Sequence, residues 1–344
     1  MGCPPTISSP QSRSYTEAFA AGRRHLLHER HPDAEASFRK AAEHAGRRVD
    51  EEEALYLLAR VLQRADRKLE ALRVLERLAA RRPVARRTVR ALYDAARIQH
   101  ALGSHAVAVD AWKDLIATWP SHGLASSALK NVLRDYRRRE ALEAAQSYLA
   151  EMYETLGDTP IGDNLLISHA RLKLEAGEDV AATALLERLV RDHPYPQGHL
   201  WDDAIWMLVA MEIRHEHYGR AVHRLDRMLQ RAESTTLVGS YTLAAFPRAS
   251  LEIARIYRDR LENFEKAARY FMKTYTDFPN STLRDDALTE LGLMSLEAGR
   301  TERGCRYLSR VLSEFEVGSA FRRAKAVHVT RCPEGLLREA PLQR

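Results

Sequence analysis

Residues 51–83 read EEEALYLLARVLQRADRKLEALRVLERLAARRP. Leu55, Leu58, Ala59 and Leu62 recur at intervals of three and four, as do Ala71, Leu75 and Leu78, so each set lies on one face of a helix. A tight turn separates the two helices, and Pro83, which has no amide hydrogen to donate, stops the second. The small side chains of Ala59 and Ala71 let the helices of the pair approach closely. Two helices alone cannot bury both stripes. A neighbouring pair has to cover what is left, so the segment reads as one unit of a stack.

The rest of the chain repeats this pattern. A small residue followed four positions later by a bulky apolar one occurs as Ala34/Phe38, Ala71/Leu75, Ala108/Trp112, Ala144/Tyr148, Ala182/Leu186, Ala221/Leu225, Ala267/Phe271 and Gly304/Leu308, with spacings of 37, 37, 36, 38, 39, 46 and 37 residues. A nearly fixed interval of this length marks a solenoid of stacked helix pairs. Gly103, Gly177, Gly219 and Gly299 are expected in the turns between paired helices, where a left-handed residue suits glycine. Pro83, Pro120, Pro194 and Pro279 each stand 12 residues after the small residue of the second helix and close that unit.

Composition fits such a stack and excludes several other classes. Hydrophobic residues make up 45%, charged residues 29% and aromatics 7%, which is not the profile of a disordered chain. Eight of the 53 basic residues are lysine and 45 are arginine, with a formal net charge of +6, and acidic residues are interspersed throughout. That balance permits an acidic partner without requiring nucleic acid. The longest apolar stretch, Ala204 to Met211, is far short of the roughly 20 residues that span a bilayer. Cys3, Cys305 and Cys332 are too few and scattered for a disulfide framework or zinc site, so Cys305 and Cys332 read as ordinary thiols.

The units resemble the tetratricopeptide repeat family, whose units carry a small residue at position 8, Ala at 20, a bulky residue at 24 and Pro at 32. Repeats 2, 3 and 5 match closely, and repeat 8 adds Leu291-Gly292 although Gly304 replaces the usual Ala. Repeat 4 matches least. The resemblance covers about residues 14–316, with a period near 37 in place of 34. It implies an all-α, right-handed α-solenoid of about eight helix-turn-helix units. The expected organisation is a polar tether at 1–13, a solenoid at 14–316 with an insertion near 232–246, and a capping helix and tail at 317–344. The junctions Phe278-Pro279-Asn280-Ser281 and Trp119-Pro120-Ser121 look like the Tyr-Pro-x-Ser junction of bacterial envelope members. Those include the lipoprotein of the outer-membrane β-barrel assembly machinery and the periplasmic partner of the Tol-Pal system.

Met1-Gly2-Cys3 followed by Pro4-Pro5 and a polar stretch resembles the end of a bacterial lipobox that lacks its apolar segment. On that reading Cys3 is lipidated and the chain is tethered on the periplasmic side of the cell envelope. The alternatives are N-myristoylation at Gly2, or a chance sequence and a cytoplasmic scaffold.

The family geometry turns positions 2, 5, 9 and 12 of the first helix toward a concave groove. Position 9 is arginine in five units, Arg23, Arg60, Arg97, Arg171 and Arg255, where composition alone gives about one in eight. Tyr56, Tyr93 and Trp206 at position 5 are expected to flank this ladder. Guanidinium groups beside aromatic faces suit carboxylates, so the expected ligand is an acidic peptide or protein segment in a basic groove. In the competing account these arginines pair with acids such as Glu53, Asp94 or Glu252 and stabilise the helix layer. A helical-repeat protein that binds RNA is the remaining alternative. No phosphate loop, nucleophile elbow or zinc helix is present, and neither His25, His28 and His31 nor His215, His217 and His223 have recognised metal spacing. Asp202-Asp203 and Asp285-Asp286 read as helix starts. The expectation is a non-catalytic scaffold without metal, cofactor or small-molecule substrate.

Overall fold

The computed structural model describes residues 11–81, 86–232 and 244–333. Among these residues there are seventeen helices and no strand, in an all-α helical-repeat fold. The helices form two units, Met1–Gly177 and Glu178–Arg344.

The first unit holds α1 (Arg13–Leu27), α2 (His31–Glu43), α3 (Arg48–Arg64), α4 (Lys68–Ala79), α5 (Thr88–Ala101), α6 (His105–Thr118), α7 (Leu124–Arg138), α8 (Leu142–Leu156) and α9 (Gly162–Glu175). Each helix packs on the next, and α1 touches α3 and α5 touches α7 directly. Phe38, Leu62, Leu75 and Leu78 are fully buried, together with Ala34, Ala59 and Ala71. The small positions set how closely the helices approach: a Cβ added at Gly22 would lie 2.8 Å from the Phe38 ring. Hydrogen bonds also join first helices across repeats. The Tyr56 hydroxyl of α3 donates to Asp94 Oδ2 of α5 at 3.0 Å, and Asn131 Nδ2 of α7 donates to the Tyr93 hydroxyl at 3.2 Å.

The second unit holds α10 (Asp179–Asp192), α11 (Trp201–Arg214), α12 (Tyr218–Leu229), α13 (Ala245–Asp259), α14 (Phe264–Asp277), α15 (Arg284–Glu297), α16 (Thr301–Glu314) and α17 (Ser319–Arg331). Its core is built on Leu225, Met228, Phe246, Phe271, Leu291 and Leu308. Glu290 of α15 accepts hydrogen bonds from Arg258 of α13 and Arg323 of α17 and joins three helices. Burial raises the Glu290 pKa, but these bonds and charges outweigh it and hold the carboxyl below its usual range. Asp202-Asp203 and Asp285-Asp286 stand in the first turns of α11 and α15, where acids favour the helix start.

Four sequence expectations need correction. In repeat 4 the pair facing the core is Ala145/Leu149, at 1% and 0% exposure, while Ala144 is exposed and Tyr148 half-buried. Both registers have the same spacing, and only packing separates them. With Ala145 in place, the first five small residues, 34, 71, 108, 145 and 182, stand 37 apart throughout. Gly219 lies within α12, and the left-handed residue of that turn is Glu216, with φ 59°. Indeed every turn between paired helices has one such residue: Glu29, Asp66, Gly103, Glu140, Gly177, Glu216, Glu262 and Gly299.

Cys305 and Cys332 are joined in a disulfide, with Cα atoms 5.6 Å apart, although 27 residues separate them in sequence. The hairpin of α16 and α17 returns the chain to its start, which linear spacing could not reveal. The insertion is also shorter than expected. Residues 233–243 lie outside the described residues, but Phe246 belongs to α13, is 1% exposed, and packs edge-on to Tyr195 at 5.6 Å.

Candidate functional site

In the first unit, α1, α3, α5, α7 and α9 bury Gly22, Ala59, Ala96, Leu133 and Ala170 against the stack. The following residue is rotated about 100° around the helix and leaves the core. It is Arg23, Arg60, Arg97, Arg134 and Arg171, each exposed and each 37 residues from the last. The sequence reading missed Arg134 because the Ala144/Tyr148 register put Leu133 in its place. Arg255 follows the buried Ala254 in the same way but belongs to the second unit, where its guanidinium lies 4.0 Å from Glu252.

Partners divide these arginines. Arg23, Arg60 and Arg171 have no ion pair or hydrogen bond from the side chain among the described residues. Arg134 Nη1 donates to Asn131 Oδ1 at 2.7 Å, an amide partner that orients the guanidinium and leaves its charge uncompensated. Arg97 lies 3.5 Å from Asp94, whose other oxygen is already held by Tyr56 and by Arg90 Nε at 3.1 Å. Of the three acids expected to neutralise the ladder, Asp94 and Glu252 do face it, at 3.5 Å from Arg97 and 4.0 Å from Arg255, whereas Glu53 takes two hydrogen bonds from Arg87, at 2.7 and 2.6 Å.

Arg23 and Arg60 share a cleft of about 1230 Å³ between the first two repeats. Seven arginines and two carboxylates line it, an excess of five positive charges. Asp50 is held by Arg47, at 2.7 and 2.8 Å, and these hydrogen bonds keep its carboxyl below the usual range despite burial. With Arg47 and Arg87 occupied, Arg23, Arg24, Arg60, Arg64 and Arg86 supply the excess positive charge. Phe19, Leu26 and Leu57 give the floor apolar surface, and Leu27 at its edge is 79% exposed. Burial, and then the Asp50 and Glu53 carboxylates, push the Tyr15 phenol up to about 12, so it stays protonated at neutral pH.

The aromatic residues serve differently from expectation. Tyr56 is 6% exposed, with its hydroxyl on Asp94 and the Arg87 guanidinium 4.8 Å above its ring. It is a brace between repeats, and the stacked arginine is not a ladder member. Tyr93 is half-buried and tied to Asn131. Trp206, in the second unit, has Arg248 over its ring at 4.1 Å. Cys3 lies outside the described residues. Among the described residues no helix is long and apolar enough to cross a membrane, and no group of three His, Cys, Asp or Glu side chains is placed to hold a metal ion.

Residues 53–83, one repeat, match a family model described as a tetratricopeptide repeat. No curated protein sequence matches the chain. Among solved structures the chain is similar to a tetratricopeptide repeat protein from Parabacteroides merdae, at 17% identity over 82% of this chain and 99% of that one, with a TM-score of 0.36. It is also similar to MamA from Desulfovibrio magneticus, at 17% identity over 56% of this chain and 97% of that one, with a TM-score of 0.36.

Proposed function

We propose that the chain is a non-catalytic interaction scaffold that holds an acidic segment of a partner protein along the arginine face of its first unit. The observation that carries this reading is the row Arg23, Arg60, Arg97, Arg134 and Arg171, exposed at a constant register and largely without carboxylate partners. Uncompensated guanidinium groups beside an apolar floor suit bidentate capture of carboxylates from a segment that also has apolar side chains. An RNA-binding role finds less support, because stacking of bases needs free aromatic faces and Tyr56 and Tyr93 are already committed to contacts within the stack.

The test is capture of a labelled acidic peptide by fluorescence anisotropy, with an RNA oligonucleotide of equal charge as the comparison. Arg60→Glu with Arg97→Glu should abolish peptide capture and leave far-UV circular dichroism unchanged. Loss of helicity would assign these arginines to the stack, and tighter RNA binding at every salt concentration would favour the nucleic-acid reading.

A second proposal concerns location. The Cys305–Cys332 disulfide favours an oxidising compartment, and the bacterial cell envelope with a tether at Cys3 is the form of that reading we put forward. Fractionation of cells that express the gene from its genomic locus, with thiol labelling of Cys305 and Cys332, tests it. Recovery in the cytoplasm with both thiols free would exclude it.

A further inference from the structure

Positive charge without a carboxylate partner is not spread evenly over the first unit. We infer that the partner segment is anchored by one short, polarised motif in the cleft between α1 and α3, with a bulky apolar side chain at its middle and acids gathered at one end. This rests on the scaffold reading above and names the part of the segment that carries its affinity. Farther along the stack the exposed arginines have acids nearby: Arg97 faces Asp94, and Arg138 and Arg139 both bind Asp135. In the cleft, Arg23, Arg24, Arg60 and Arg64 make no ion pair or side-chain hydrogen bond among the described residues.

The cleft also has a direction. Gln11, just ahead of α1, donates to Asp50 in the first turn of α3 at 3.2 Å, so the two helices start at the same end of it. Both carboxylates of the lining, Asp50 and Glu53, lie at that end, where Arg47 and Arg87 hold them. The four arginines without partners lie in the last two turns of α1 and α3, at the other end. Arg60 and Arg64 stand one turn apart on the same helix, where like charges repel and an acid between them relieves the repulsion. Phe19 and Leu57 supply apolar surface between the two ends, and Leu27 leaves an apolar edge beside the arginines. Along α1 the lining runs from Tyr15 to Leu27, roughly 18 Å at ~1.5 Å per residue. About five or six residues in extended form, at ~3.3 Å each, cover that length. A motif of that size places its acids among the four arginines and its apolar side chain on Phe19 and Leu57, and leaves the paired end of the cleft to uncharged residues.

Labelled eight-residue peptides, followed by fluorescence anisotropy against the full chain, test the motif. Two carry four glutamates at one end and two leucines in the middle, one in each chain direction. A third replaces the leucines with serines, and a fourth keeps the leucines but alternates its glutamates with the other residues. One of the two polarised peptides should bind at least tenfold more tightly than the serine and alternating peptides. Arg24→Gln with Arg64→Gln should weaken it at least tenfold and Arg171→Gln less than twofold, with far-UV circular dichroism unchanged in both variants. Equal binding of the serine peptide would overturn the apolar anchor, and equal binding of the alternating peptide would overturn the polarity. A loss from Arg171→Gln as large as that from the Arg24 and Arg64 pair would overturn the single anchor. Each of these results leaves the acidic-segment reading standing, as does capture of a long polyglutamate with none of the short peptides, which would overturn the motif as a whole. Failure of every acidic peptide to bind would overturn the scaffold reading itself.

Discussion

The register of repeat 4 decides whether Arg134 belongs to the row, and mutation of α8 tests it directly. Leu149 is 0% exposed, so Leu149→Ala removes three carbons from a closed environment, or about 2.4 kcal/mol at ~0.8 per methylene. The cavity left behind brings the loss to about 3 kcal/mol. For a unit the size of Met1–Gly177, that lowers Tm by about 6–12 °C. Ala145→Leu overpacks a site that is 1% exposed and should cost about 1–3 kcal/mol. Ala144→Leu, on the exposed face, should stay within about 0.5 kcal/mol. Thermal melts followed at 222 nm measure all three. If Ala144→Leu is the damaging change and Ala145→Leu the silent one, the packing register is wrong and Leu133 replaces Arg134 in the row.

Other predictions concern the turns, the disulfide and two arginine-bonded carboxylates. Glu140 is exposed with φ 55°, so Glu140→Gly should relieve left-handed strain and raise stability by about 0.5–1 kcal/mol, while Gly103→Ala should lower it by about 1 kcal/mol although its Cβ would meet nothing within 4 Å. Denaturant titration reads both. Reduction of Cys305–Cys332 opens a loop of 27 residues and should destabilise the last helix pair by up to about 3.5 kcal/mol, seen as earlier amide exchange in α16 and α17. Burial raises the Glu290 and Glu314 pKa values, but arginine hydrogen bonds outweigh it and hold both carboxyls below their usual range. Such a depressed group contributes stability above its unfolded pKa, and that contribution is lost as pH falls through the folded value. Stability should therefore decline below about pH 4, and Glu290→Gln should cost about 2 kcal/mol at pH 7 and flatten the acid limb of the Tm profile.

Much of the fold can be read along the chain because helical repeats are built from local rules. Intervals of three and four place a stripe on one helix face, a prolyl residue ends a helix, and a period near 37 repeats the unit. The small/bulky pairs of seven repeats, the helix starts at Asp202-Asp203 and Asp285-Asp286, and four of the five arginines in the first unit's row need nothing beyond spacing and residue type. The fifth arginine was also present in the numbering, since 97 and 134 differ by the same 37 as the other members. Adjacent alanines at 144 and 145 concealed it.

Tertiary structure decided what depends on contact between segments distant in sequence. Ala144 and Ala145 are chemically equivalent, and only the neighbouring helices determine which is buried. Tyr56 looked like an open groove residue until Asp94 and Arg87, 38 and 31 positions away, closed around it. Cys305 and Cys332 become partners only because α16 and α17 fold back on each other. Periodicity sets which way a residue points from its own helix, but its partner and remaining exposure depend on what the rest of the stack brings against it.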